Sequence, residues 1–174
     1  MYVADGVAIE PLLFGGGQQK RLRPGTLPVA LIAGLGEAAA VAAGRLDDDQ
    51  SALAALRAQL LAGLSGIDGL KINGPAEGGY PGILNVSLGD VEGESLLLAL
   101  EPLCVASGSA CNSQSKESSY VLRSLGRSDA DAQGAIRFSM GRLTTAKEID
   151  FAIAHYRQAI LKLRRLATSS GGKS

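Results

Sequence analysis

Thr145-Ala-Lys-Glu148 carries the spacing of a capping box, and Ile149, Ile153, Tyr156, Ile160 and Leu163 follow it at helical intervals on one face. A helix with one such stripe must bury it against another layer. The preceding hundred or so residues alternate between short β signals and helical ones. Leu53, Leu56, Leu60 and Leu64 form a helical stripe. Leu70–Asn73, Ile83–Leu88, Leu103–Ala106 and Ala135–Met140 read as short strands. Glu92-Gly-Glu-Ser opens a short helix over Ser95–Leu100, and Ser119–Gly126 reads as another, stopped by its glycine. The order helix, two strands, helix, strand, helix, strand, helix over residues 46–167 defines a self-contained α+β unit, and the Ser/Gly tail 168–174 is expected to be disordered.

Residues 1–45 have a different character. Asp5-Gly6 between apolar runs predicts a hairpin over residues 1–14, although a lone two-stranded hairpin is marginal in water. The basic, Gly-rich loop Gly15–Thr26 comes next, then a helix over Leu27–Ala43 capped by Thr26, with Pro28 in its first turn. That helix is apolar nearly all round, which predicts burial or a subunit interface. Asp47-Asp-Asp49 places negative charge where a second helix is expected to begin. Residues 1–45 therefore read as the remnant of a larger domain.

Composition removes several function classes. Seventeen basic residues balance seventeen acidic ones, aromatics make up 4% and Trp is absent, so nothing favours a nucleic-acid partner. Neither a secretory leader nor a membrane span is expected, the Ala/Gly-rich run at 27–43 being just under spanning length. Two cysteines, at 104 and 111, make a poor disulfide framework and favour a reducing, cytoplasmic compartment. No group of ligand-type residues has a metal spacing.

Chemistry concentrates in three places. Cys111 lies in a polar stretch, Ser107-Gly-Ser-Ala-Cys-Asn-Ser-Gln-Ser-Lys116, where Lys116 and the N–H groups of the following helix would favour a thiolate; the same thiol also reads as an incidental surface cysteine. Cys104, inside Leu-Cys-Val, reads as a small core residue. The loop at 15–26 reads either as an anion cradle or as a plain turn, and it fits neither a Walker A nor a dinucleotide spacing. Arg137, flanked by Ile136 and Phe138 on the opposite strand face, suits bidentate binding of a carboxylate, an internal ion pair or plain exposure. His155 falls off the packing face of its helix and reads as inert.

Together these stretches resemble one family. Gly15-Gly-Gly-Gln-Gln, Leu22-Arg-Pro-Gly-Thr-Leu-Pro-Val29, Leu84-Asn-Val-Ser87, Val91-Glu-Gly-Glu-Ser95, Ser107-Gly-Ser-Ala-Cys111 and Ile136-Arg-Phe-Ser139 are similar to motifs of the pyridoxal-phosphate-dependent cysteine desulfurases. More narrowly, they resemble the class V aminotransferase group serving iron–sulfur cluster assembly and tRNA thiolation. Gln19 stands where many relatives have Glu.

The resemblance implies the small C-terminal domain of an aspartate-aminotransferase-like, fold type I transferase with a remnant of its large domain. It implies that Cys111 takes sulfur from L-cysteine as a persulfide, releasing alanine, and that Arg137 binds the substrate carboxylate. Thr26 would reach the pyridoxal 5'-phosphate of the opposite subunit in a homodimer. The family's Schiff-base lysine, in a Ser-x-His-Lys segment, its ring-stacking histidine and its Asp/Gln pair have no counterpart here, and none of the six lysines has that context. The implied partners are an N-terminal half or a complete desulfurase subunit, and a sulfur-acceptor or iron–sulfur scaffold protein. The alternative is a non-catalytic sulfur-relay or scaffold-binding module.

Overall fold

A computed structural model describes residues 2–75, 78–107 and 118–170. Residues Met1–Leu46 and Asp47–Ser174 form two compact units. The elements in chain order are a 3-10 segment (Gln18–Arg21), α1 (Val29–Leu64), β1 (Lys71–Asn73), β2 (Ile83–Ser87), α2 (Gly93–Ala99), β3 (Ala106–Ser107), α3 (Tyr120–Ser124), α4 (Asp129–Gln133), β4 (Ala135–Ser139) and α5 (Ala146–Ser170).

The second unit is built on one antiparallel sheet of order β1-β2-β4-β3. Leu84 faces Phe138 and Val86 faces Ile136 across β2 and β4. All four are buried, and with Leu53, Leu60 and Leu64 of α1, Leu96 of α2 and Ile149, Tyr156 and Ile160 of α5 they form the core. Phe138 and Tyr156 meet edge to face at 5.5 Å, a favoured aromatic geometry. Side chains alternate along strands, so Asn85 and Arg137 fall on the other face. That face is covered in part by α3 and α4 through Leu122, Ala132 and Ala135.

Local chemistry sets the helix ends. Thr145 Oγ1 accepts from Glu148 N–H while Glu148 Oε2 accepts from Thr145 N–H at 2.7 Å, so the capping box read from sequence is formed. The Glu92 carboxylate caps α2 by accepting from Glu94 and Ser95 N–H, and bonding from Ser95 is the main cause of its lowered pKa. A Cβ on the following residue, Gly93, would lie 2.0 Å from the Gln133 carbonyl, so the Glu-Gly-Glu sequence answers a close backbone approach.

Several expectations are corrected. Asp5-Gly6 does turn, with Val7 N–H donating to Ala4 O, but no strand forms over residues 2–14, in keeping with the weakness of an unsupported hairpin. The helices expected on either side of Asp47–Asp49 are one element, α1. Gly44 costs about 1 kcal/mol in a helix interior without breaking it, and Asp49 is held by the Arg142 guanidinium instead of standing at a helix start. Thr26 makes no side-chain bond among the described residues, and the Pro28 carbonyl accepts the first helical bond, from Ile32. The third strand is Ala106–Ser107, not Leu103–Ala106, and Cys104 is exposed. The stretch Ser128-Asp-Ala-Asp131, which carries no helix expectation from sequence, opens α4 through its own capping box. Thr168–Ser170 continue α5, while residues 171–174 lie outside the described set. His155 is half-buried, stacked on Phe151, with Nε2 2.8 Å from the Glu101 carbonyl.

The apolar residues of the first unit are open. Val29, Leu31, Ile32 and Leu35 of α1 are half to three-quarters exposed. By length and composition α1 could cross a membrane, with a window of mean hydropathy 1.5. Its segment in the second unit, however, carries Leu53, Leu60 and Leu64 into the protein core.

Two buried polar groups yield tests. The Tyr156 hydroxyl is fully buried without a hydrogen-bond partner among the described residues, and burial pushes its pKa up. Tyr156→Phe is expected to raise stability by about 1 kcal/mol in urea unfolding, because an unmet hydroxyl carries only a desolvation cost. Asp131 is also buried, and the Lys71 ammonium at 2.7 Å, followed by the Ser128 hydroxyl, holds its pKa down. Its contribution is complete above the unfolded carboxylate value of about 4 and is lost as pH falls through the lower folded value. Lys71→Met should cost about 1–2 kcal/mol at pH 7, less than for a fully buried pair because Lys71 is half exposed. The same variant should flatten the acid limb of a stability–pH curve.

Candidate functional site

The register of the sheet places four residues in one row. Asn73 pairs with Asn85, Asn85 with Arg137, and Arg137 with Ala106, on four adjacent strands. Directly opposed residues share a face, so this row forms the floor of a cleft of about 340 Å³ that Val121 and Leu122 of α3 and the following Leu125 flank. That volume suits a small ligand. Arg137 is exposed there and makes no ion pair among the described residues.

Asn73 and Asn85 are tied together. Asn73 Nδ2 donates to Asn85 Oδ1 and to Ser87 Oγ, both at 2.6 Å. Asn73 Oδ1 accepts from Arg127 Nε, and the same guanidinium donates to the Ile72 carbonyl. Gly126 makes this possible. Its φ of +79° ends α3 in a left-handed turn, in which Arg127 N–H reaches back to Leu122 O, and the chain then returns to the sheet.

Cys111 and Lys116 lie outside the described residues. Both flanks of their segment belong to the cleft, whose lining includes Ser107 and Ser119. β3 pairs with β4 beside Arg137, and Ser118 Oγ donates to Asp129 Oδ1 at 2.6 Å, so each flank is held. Cys111 is four residues beyond Ser107 in the sequence.

In the first unit, the Gly-rich loop is closed by Gly25 N–H donating to Gln18 Oε1 at 3.2 Å. Gln19, Lys20 and Arg21 all have positive φ, 48°, 55° and 65°. Three consecutive non-glycine residues in this region cost about 1–2 kcal/mol each, and such strain concentrates at functional sites. The result is an exposed cluster of Lys20, Arg21 and Arg23 preceding the exposed Thr26. Sequence patterns point to Arg137, Thr26 and Cys111 but not to Asn73, Asn85 or Arg127. Asn85 sits inside a family-like motif, Leu84–Ser87, and only pairing partners far along the chain show what it faces.

With this geometry in view, the chain belongs to the class-V aminotransferase family, whose pattern matches residues 6–151. Among curated proteins it is similar to the cysteine desulfurase IscS of Salmonella schwarzengrund (strain CVM19633), 48% identical over 161 residues, which are 92% of this chain and 40% of that protein. Among solved structures it is similar to a NifS-like protein (TM-score 0.79, 32% identity, 93% of this chain and 42% of that one). It is also similar to DndA from Streptomyces lividans (TM-score 0.57, 39% identity, 75% of this chain and 36% of that one). The chain thus spans about 40% of the length of the relatives it matches. The fold is that of the α+β part of NifS-like, pyridoxal-phosphate-dependent enzymes.

The family depends on pyridoxal phosphate, and the residues here fit only one end of that group. Cationic side chains and the free Thr26 hydroxyl suit a phosphate. The Schiff-base end has no match among the described residues, since no lysine lines the Arg137 cleft and Lys71 is engaged by Asp131. No reaction step is therefore assigned to the cofactor on this chain.

Cys104, expected in the core, is exposed beside a small recess lined by Val105, Phe138, Met140 and Glu148. In a Cys111→Ser chain, iodoacetamide should alkylate Cys104 in the native state within about tenfold of its rate in urea, as accessibility governs an ordinary thiol. Mass spectrometry over time checks this, and protection of about a hundredfold would contradict the exposed placement.

Proposed function

We propose that this chain is the substrate-clamping and sulfur-receiving part of a cysteine desulfurase. The observation that carries the reading is the cleft itself: Arg137 lies in its floor, and both flanks of the Cys111 segment, Ser107 and Ser119, line it. A guanidinium suits a carboxylate bidentately, and the cleft volume of about 340 Å³ suits a free amino acid. The similarity to IscS and NifS-like proteins supplies the chemical class.

The net conversion is L-cysteine plus the Cys111 thiol to L-alanine plus a Cys111 persulfide. The carbon–sulfur bond of the substrate breaks and a sulfur–sulfur bond forms. A proton takes the place of sulfur on Cβ, so carbon is reduced as thiol sulfur is oxidised, and no external oxidant is needed. Arg137 holds the carboxylate, and Cys111 receives the sulfur and passes it to an acceptor protein for iron–sulfur cluster or thio-cofactor synthesis. The Schiff-base amine and the contacts to the cofactor ring come from a polypeptide segment equivalent to the unmatched 60% or so of IscS. That segment covers the apolar side chains of the first unit, and Thr26 meets the cofactor phosphate of a second subunit in a cytoplasmic dimer.

A second reading is favoured by the lack of an amine among the described residues of the cleft: Cys111 accepts a persulfide from a complete desulfurase without chemistry of its own. The two separate in one experiment. The chain is combined with the N-terminal portion of a relative, pyridoxal phosphate and L-cysteine, and alanine is measured. The half-enzyme reading expects alanine, with Cys111→Ser abolishing persulfide at this chain while Cys104→Ser leaves it intact. Arg137→Gln should raise KM for cysteine by about 10–100-fold, the equivalent of one or two charge-assisted hydrogen bonds. Persulfide loading from a complete desulfurase without alanine production by the reconstituted pair would establish the relay instead.

A further inference from the structure

We infer that Asn85 is a second carboxylate-binding residue beside Arg137, and that Arg127, acting through Asn73, is the positioning residue that turns the Asn85 amide toward the ligand. This rests on the carboxylate reading of Arg137 and extends it to residues no motif assigns.

The inference follows from donor and acceptor bookkeeping along one chain of bonds. A guanidinium can only donate. Arg127 Nε bonds Asn73 at Oδ1, which fixes which end of the Asn73 amide faces Arg127. The NH2 group of Asn73 must then face the opposite way, and it does so, donating to Asn85 Oδ1 and Ser87 Oγ. Asn85 thereby presents its oxygen to Asn73, and its own NH2 group points away from that neighbour. The orientation of an asparagine amide is ordinarily an assignment made from the surrounding bonds; here an obligate donor at the head of the chain dictates it twice over.

The strand register says where the Asn85 NH2 group is delivered. The partner of Asn85 on the far side is Arg137, on the same sheet face, and both residues line the same cleft. No described residue accepts a hydrogen bond from Asn85 Nδ2, while Asn73 is almost fully buried and committed. The cleft floor is thus a row of graded donors: a buried amide that orients, a half-exposed amide that offers N–H, and a guanidinium. A carboxylate has two oxygens and about four lone-pair sites, so it can accept from Arg137 and Asn85 together. A neutral donor beside the cation adds direction without adding charge, and it fixes the roll of the carboxylate that a single arginine leaves free.

The test uses the full chain, 15N-labelled and titrated with L-alanine, which carries the carboxylate and ammonium of cysteine without its thiol. The Asn85 side-chain amide signal and the Arg137 Nε signal are followed. Both should shift saturably with one dissociation constant. Asn85→Leu should weaken binding about tenfold, the loss of one hydrogen bond to a charged group. Asn85→Asp keeps the acceptor for Asn73 but replaces the donor with a charge, and should abolish binding; it serves where Asn85→Leu fails to fold. Arg127→Gln, which donates and accepts and so releases the Asn73 orientation, should weaken binding about threefold or more. Arg127→Lys, again an obligate donor, should restore it to within about twofold.

The failures are distinguishable. If the unaltered chain does not titrate, or Arg137→Gln titrates as tightly as the unaltered chain, the carboxylate reading falls and this inference with it. If Arg137→Gln loses binding while Asn85→Leu and Asn85→Asp stay within about twofold, only the role of Asn85 is overturned. That role is equally overturned if the Arg137 signal moves and the Asn85 amide does not. If the Asn85 variants behave as expected but Arg127→Gln changes neither affinity nor the Asn85 amide position, the positioning role of Arg127 is overturned.

Discussion

The antiparallel pairing of β2 with β4 is the constraint from which both the core and the cleft descend. Leu84 against Phe138 and Val86 against Ile136 bury one face under α1, α2 and α5. The same register necessarily sets Asn85 against Arg137 on the other face. A slip of one residue would carry the polar pair into the core and the apolar pairs into the cleft. Burial of four large apolar side chains, at about 1.5–3 kcal/mol each, therefore enforces the alignment of the Asn73–Asn85–Arg137 row. Stability and site geometry are here the same interaction seen from its two sides.

The polar face is not merely what remains after the core is satisfied. Asn73 and Ser87 are buried on it and linked by a hydrogen bond, and Asp131 is buried beside it with Lys71 and Ser128 as partners. Buried polar groups are tolerated only when their bonds are made. Arg127 completes the network at Asn73 and is brought there by the left-handed turn at Gly126. The two short helices over this face are each bounded by a specific device, the left-handed turn at Gly126 that ends α3 and the Ser128–Asp131 capping box that opens α4. Of the two five-residue helices, α3 supplies Val121 and Leu122 to the cleft lining, while Asp129 of α4 accepts from Ser118 at its edge.

Legibility in the sequence follows the range of the interaction. The capping box at Thr145, the stop at Gly126, the Leu stripe of α1 and the alternation around Arg137 are local patterns, and each is formed as the residues imply. The features that sequence misplaces depend on distant partners. Asp49 looks like a helix start only while Arg142, 93 residues away, is invisible as its partner. The apolar neighbours of Cys104 suggest burial, yet β3 begins only at Ala106 and leaves the thiol outside. Asn85 looks like one letter of a motif because its meaning lies in residues 73, 127 and 137. Motif resemblance points to Cys111, Thr26 and Arg137 because each sits in a short string that can be read locally. It does not distinguish the string that binds from the string that merely closes a turn, such as Glu92-Gly-Glu, whose carboxylate caps α2 and whose glycine makes room for the Gln133 carbonyl.

The two units present opposite kinds of incompleteness, and each says something about what a completing polypeptide must bring. The second unit has its own core and leaves cationic and amide donors open in a cleft with no amine among its described residues. The first exposes Leu12, Phe14, Val29, Leu31 and Leu35 and carries a strained basic loop. A left-handed run of three ordinary residues is retained only where surroundings over-determine it. On the proposed reading, a completing polypeptide supplies an apolar surface to α1 and, separately, the amine that no described residue of the cleft provides. Those demands are independent, one set by water and the other by reaction chemistry. On that reading, a polypeptide that met the first but not the second would stabilise the chain without giving it a reaction to perform.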